Sequence, residues 1–199
     1  MQGKSKDVTA SRRHLLALGA GGAAAMLLPS WAHAGSDQPG TPFARPQLLQ
    51  DRRLAFRHRH TGETVNVVYY ADGRYIPPAI KQITHLMRDH RTDQEMPIDP
   101  ALIDLLYALQ MRLGRRDPFE VYSGYRSPAT NALLRQKRGR SVAKHSLHMQ
   151  GMAVDIGIEH VRSYDIAKAA LVLQKGGVGF YRRSNFVHVD VGPVRSWGV

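Results

Sequence analysis

The residues best suited to chemistry lie in two short stretches near the C-terminus. The first is Ser146-Leu147-His148-Met149-Gln150-Gly151-Met152-Ala153-Val154-Asp155, and the second is Phe186-Val187-His188-Val189-Asp190. Together they offer two imidazoles and a carboxylate: His148, Asp155 and His188. Three protein donors with a fourth position left to water is the usual build of a catalytic zinc site. A closed structural site takes four donors, commonly several cysteines, and this chain has no cysteine. Imidazole with carboxylate suits zinc, although donor type alone leaves iron open.

These donors need elements to bring them together. Residues 152–158 are rich in apolar side chains and read as a buried strand that carries Asp155. His148 sits in the loop leading into it, and Gly151 eases the turn between them. Residues 186–191 read as a second strand. Positions two apart in a strand share a face, so His188 and Asp190 point one way while Val187 and Val189 point the other. If the two strands are neighbours, the three donors converge.

The rest of the chain supplies the scaffold. Residues 53–60 and 64–70 alternate and are joined by Thr61-Gly62-Glu63, which predicts a hairpin. Pro77-Pro78 opens a helix with Ile80, Ile83, Leu86 and Met87 on one face. Asp99-Pro100 is a cap followed by proline at the first helical position, and the helix runs to about Gly114. Residues 119–122 predict a short strand. Ser127-Pro128 caps a helix to about Gln136, followed by a basic loop over 137–140. Ser163 starts a helix that Gly176-Gly177 ends, and residues 178–181 pair with 186–191. This order predicts an α+β fold, an antiparallel sheet with flanking helices.

The N-terminus is set apart. Ser11-Arg12-Arg13-His14-Leu15-Leu16 opens an apolar run to Leu28, and Ala32-His33-Ala34 reads as a cleavage site. Residues 1–34 are thus expected to be a secretory signal, its arginine pair pointing to twin-arginine export and the periplasm. The run is short against the roughly 20 residues that span a bilayer, so membrane contact is expected only through an uncleaved signal. Residues 35–50 read as a flexible leader and 51–199 as the working domain. The net charge is +12, and the expected signal holds only Lys4, Lys6, Arg12 and Arg13 against Asp7, so the remainder stays strongly basic. A basic exported protein fits a carboxylate-bearing cell wall. No interleaving of basic and aromatic residues builds a stacking platform, so nucleic acid is not expected as a partner. Oligomeric state leaves no mark in the sequence.

Taken together, the motifs resemble those of the M15 zinc peptidases, the group of D-alanyl-D-alanine peptidases and hedgehog-like domains. Ser146, His148, Gly151, Ala153 and Asp155 match the zinc signature. Val121-Tyr122-Ser123-Gly124-Tyr125-Arg126-Ser127, Gly177-Val178-Gly179-Phe180-Tyr181 and Asn185-Phe186-Val187-His188-Val189-Asp190 match the flanking motifs. The likeness is greatest to the exported DUF882 branch and covers about residues 50–195. It implies a hedgehog- and DD-peptidase-like fold, with His148, Asp155 and His188 as Zn2+ ligands. It implies Arg126 as the cation beside the reacting carbonyl, and hydrolysis of peptidoglycan peptide cross-links at diaminopimelate. Carboxypeptidase trimming of stem peptides and a non-catalytic zinc-containing wall-binding module are the alternative readings.

The family pattern breaks at the general base. Many members place a carboxylate three residues before the last histidine, where this chain has Asn185. Others use a histidine two residues before it, where Phe186 stands. Two substitutes are available. Asp190 either reaches the water or orients a ligand from behind. His145 either accepts or returns a proton beside the metal. Ser123 and Tyr125 are expected either to shape the groove or to pack.

Overall fold

The computed structural model describes residues 51–139 and 142–199. The expected signal (1–34) and leader (35–50) lie outside the described residues, as do positions 140 and 141 of the basic loop. Alternation builds the first strands. In β1 (Arg52–His58), Leu54, Phe56 and His58 turn inward and are buried. β2 (Thr64–Ala71) pairs antiparallel with β1. The Thr61-Gly62-Glu63 link closes as predicted, with His58 N–H on Glu63 O (2.9 Å) and Gly62 N–H on His58 O (2.9 Å). β3 (Arg74–Tyr75) adds a short edge to β2.

Helix boundaries follow their capping chemistry. α1 (Pro77–Leu86) begins on the proline pair. α2 (Pro100–Leu113) is capped by Asp99, whose side chain accepts from Ala101 N–H at 2.8 Å, and ends at Gly114 in the left-handed region. Its Leu102, Ile103, Leu106 and Leu109 are fully buried, each stabilising the fold by roughly 1.5–3 kcal/mol. After β4 (Phe119–Ser123) comes α3 (Pro128–Arg138), capped by Ser127 through Thr130 N–H at 3.2 Å. α3 takes in Lys137 and Arg138, which the sequence had placed in the loop. A 3-10 turn (Leu147–Gln150) leads into β5 (Ala153–Ile158). α4 (Ser163–Leu173) stops at Leu173, earlier than the glycine pair, because Gln174 takes the left-handed position and Gly177 opens the next strand. β6 (Gly177–Tyr181), β7 (Phe186–Asp190) and β8 (Arg195–Trp197) finish the chain.

The strands form one sheet in the order β3-β2-β1-β4-β5-β7-β6-β8. The α+β expectation holds, but the sheet is mixed. Most neighbours are antiparallel; β1–β4 and β6–β8 are parallel. The chain reaches β4 from β1 only through the hairpin, α1 and α2, and such a crossover permits parallel pairing. All six residues of β5 and all five of β7 are buried. Val154, Ile156, Val187 and Val189 belong to the core, with α4 packed on β5, β6 and β7. The opposite face carries Asp155, His188 and Asp190. No described helix is long and apolar enough to cross a membrane.

Candidate metal centre

Register brings the donors together. β5 and β7 are antiparallel neighbours with Asp155 directly opposite His188. His148 arrives from the 3-10 turn, which closes on Gly151 at φ 68°. A β-carbon there would strike Pro97 O, so glycine is required for both its dihedral and its size. Gly124 is needed for close approach: a β-carbon would run into Met87, whose carbonyl accepts Tyr125 N–H at 2.7 Å. That approach sets Gly124 O 2.7 Å from His148 Nδ1.

Three atoms face one another: His148 Nε2, His188 Nδ1 and Asp155 Oδ1. The separations are 3.1 Å between the imidazoles, 3.2 Å from His148 to Asp155 and 3.0 Å from His188 to Asp155. A tetrahedral ion with bonds of about 2.0–2.1 Å sets its donors about 3.3 Å apart. The triangle therefore fits a small divalent cation, and these residues form a buried group able to hold one. Each donor is fixed from its far side. His148 Nδ1–H donates to Gly124 O, leaving Nε2 as the lone-pair atom. His188 Nε2–H donates to Asp190 Oδ2 at 2.9 Å, leaving Nδ1. Arg126 Nη2 donates to Asp155 Oδ2, leaving Oδ1. Such partners fix tautomer and orientation and raise ligand affinity.

Burial pushes the His148 imidazole down to about 4, so it keeps a free lone pair at neutral pH. Burial works against charge on Asp155, but the neighbouring His148 and Arg126 and the close contact of His188 outweigh it and hold the carboxyl well below its usual range. Burial lowers His188 too, yet its hydrogen bonds to Asp155 and Asp190 raise it overall. The two carboxylates thus favour positive charge at His188 itself, and a metal at Nδ1 has to displace a proton there.

The expected catalytic residues fall in different places. Arg126 borders the centre, with Nε on Ser123 Oγ at 2.8 Å and Nη2 on Asp155. It lines a cleft of about 310 Å³ that also holds His145, His148, Asp155 and His188. His145 is exposed within that cleft. Asp190 is fully buried behind His188 and does not line the cleft. Its Oδ1 accepts Gly177 N–H (2.9 Å), Gly192 N–H (2.9 Å) and Arg195 Nη1 (3.1 Å), and its Oδ2 accepts Arg195 Nη2 (2.7 Å) as well as His188. Asn185 is turned away: it sits in the left-handed region at φ 52° and its Oδ1 accepts Ser163 Oγ–H at 2.8 Å. Ser123 braces Arg126, whereas Tyr125 is buried packing.

Sequence reasoning missed Arg195 and Trp197. Arg195 pairs with both Asp190 oxygens, and the Trp197 ring centroid lies 5.2 Å from that of His188. Trp197 Nε1–H donates to Tyr181 Oη at 3.1 Å, which fixes a cleft wall. Alternation of Arg195 and Trp197 about Ser196 is the only sequence signal, and three residues are too few to read.

An open three-donor site with an arginine beside it, set on an α+β sheet, is the arrangement of a metallopeptidase. Residues 47–197 match the family described as Peptidase_M15_2, peptidoglycan L,D-endopeptidase MepK, and the chain belongs to that family. The chain is 46% identical over 189 residues to peptidoglycan L,D-endopeptidase MepK of Escherichia coli strain K12, covering 94% of this chain and 97% of that protein. It is equally similar, at 46%, to the protein of that name in Shigella flexneri. A probable peptidoglycan L,D-endopeptidase MepK of Haemophilus influenzae is 41% identical over 160 residues, 80% of this chain and 86% of the relative. No solved structure matches the chain significantly.

Proposed function

We propose that this chain is an exported zinc-dependent endopeptidase that hydrolyses amide bonds in the peptide cross-links of peptidoglycan during cell-wall remodelling. The observation that carries this reading is the triangle of His148, Asp155 and His188, opening on a cleft that holds Arg126 and His145. The names of the relatives support the substrate and the L,D class of bond. The paired arginines Arg12 and Arg13, ahead of an apolar run, support twin-arginine export, which would bring enzyme and wall together in the periplasm.

Zinc, when bound, polarises the scissile carbonyl and makes water easier to deprotonate at neutral pH. The chain's own residues do the rest. Gly124 O and Asp190 hold the two imidazoles in the tautomers that aim Nε2 of His148 and Nδ1 of His188 inward. Arg126 keeps Asp155 ionised and, from the cleft wall, stabilises negative charge growing on the carbonyl oxygen. His145 accepts the proton of the attacking water and returns it to the leaving amine. Asp190, its oxygens engaged, orients His188 and is not the base.

The test uses a purified cross-linked muropeptide dimer, its products read by mass. His148→Ala and Asp155→Ala should each abolish release of monomers, with circular dichroism unchanged. Full activity in both variants would overturn the proposal.

A further inference from the structure

A second cavity of about 190 Å³ adjoins the first and shares Arg126, Asp155 and Phe186 with it. Its far wall carries Arg91 and His60. Arg91 is exposed, and among the described residues its guanidinium pairs with no carboxylate. The one carboxylate in the lining, Asp155, is already held by Arg126. Arg126 and Asp155 thus offset each other, and the uncompensated charge of the cavity is that of Arg91. Its volume equals that of about six waters at ~30 Å³ each, room for a short carboxylate-bearing arm.

The cationic wall is built rather than loose. Asp89 is buried; its Oδ1 accepts Arg91 N–H at 3.0 Å and its Oδ2 accepts Ser127 N–H at 2.8 Å. One carboxylate thus fixes the backbone beside both arginines, Arg91 directly and Arg126 through its neighbour. The turn is tied again by Asp93 N–H on Asp89 O (2.7 Å) and by Arg88 Nε on Asp93 Oδ1 (2.6 Å). His90, next to Arg91, stacks on His60 with centroids 4.2 Å apart. Guanidinium planes bind carboxylates bidentately, so a guanidinium carried on a fixed backbone discriminates by charge and shape.

We infer that Arg91 is a specificity-determining residue that binds a free carboxylate on the substrate, on the residue flanking the scissile amide, in a subsite whose inner end is Arg126. The inference rests on the endopeptidase reading above. It is tested with two cross-linked dimers that differ only in that carboxylate, free in one and amidated in the other.

Wild type should cleave the free-carboxylate dimer with a KM about tenfold lower than the amidated one, the size of one charge-assisted hydrogen bond. Arg91→Ala should raise KM for the carboxylate dimer about tenfold, with kcat within threefold, and erase the difference between the two dimers. Arg91→Lys, which keeps the charge but not the planar fork, should fall between. A misfolded variant would lose both dimers equally, so the ratio between them is the readout. A wild-type preference that persists undiminished in Arg91→Ala, or no preference in wild type, overturns the inference. Cleavage of neither dimer by wild type overturns the endopeptidase reading itself.

Discussion

A carboxylate that accepts from His188 Nε2, two backbone N–H groups and both Nη atoms of Arg195 has no site left for a proton from water. These contacts also outweigh the burial that opposes its charge, and hold the Asp190 carboxyl below its usual range. Asp190→Asn should therefore weaken metal binding by about 10- to 100-fold, the usual loss for a ligand's outer partner. A competition titration with a zinc indicator measures this, and saturating metal should restore most of kcat. Unchanged affinity with a collapsed kcat would mean that Asp190 is the base after all. His145 carries the complementary expectation. His145→Ala should lower kcat by roughly 10²–10⁴ while still binding one equivalent of zinc; a kcat near wild type would contradict it. Asn185 drops out of the chemistry because its amide serves Ser163 and the turn into β7.

At the scale of elements, Asp89 joins the 89–93 turn to the start of α3. Burial opposes its charge, but hydrogen bonds from Thr130, Ser127 and the Arg91 N–H outweigh it and bring the carboxyl down to about 2. A depressed carboxylate contributes stability that is fully present above its unfolded value near 4 and lost as pH falls through about 2. Asp89→Ala should cost roughly 2 kcal/mol at pH 7 by that linkage, and the difference from wild type in urea midpoints should shrink below pH 3. An equal difference at pH 7 and pH 2 would contradict the assignment. Asp89 was invisible in the sequence because its partner Ser127 is remote along the chain. The hairpin, the capped starts of α2 and α3, and the His148–Asp155–His188 set were legible, since turn residues, caps and period-2 strands act locally. The parallel β1–β4 pairing and the β3 and β8 edges were not, since they depend on crossovers or on strands too short to show a period. Arg195 and Trp197 ride on β8 and were lost with it.

At the scale of the molecule, the fold divides its sheet. One face buries Val154, Ile156, Val187 and Val189 under α4, and the other presents the donors to a cleft. The rigid apolar face is what allows three polar groups to be held about 3 Å apart in the absence of any cysteine clamp. The basic balance, +12 over the full chain, favours approach to a polyanionic wall, and Arg126 and Arg195 line the cleft. In the proposed function, cleavage of cross-links depends on a metal held by His148, Asp155 and His188. The most direct measurement is digestion of one defined cross-linked dimer by protein stripped with a chelator and then titrated with zinc, with products read by mass. The stripped protein should release no monomer, and one equivalent of zinc should restore full cleavage. Undiminished cleavage by the stripped protein would contradict that dependence.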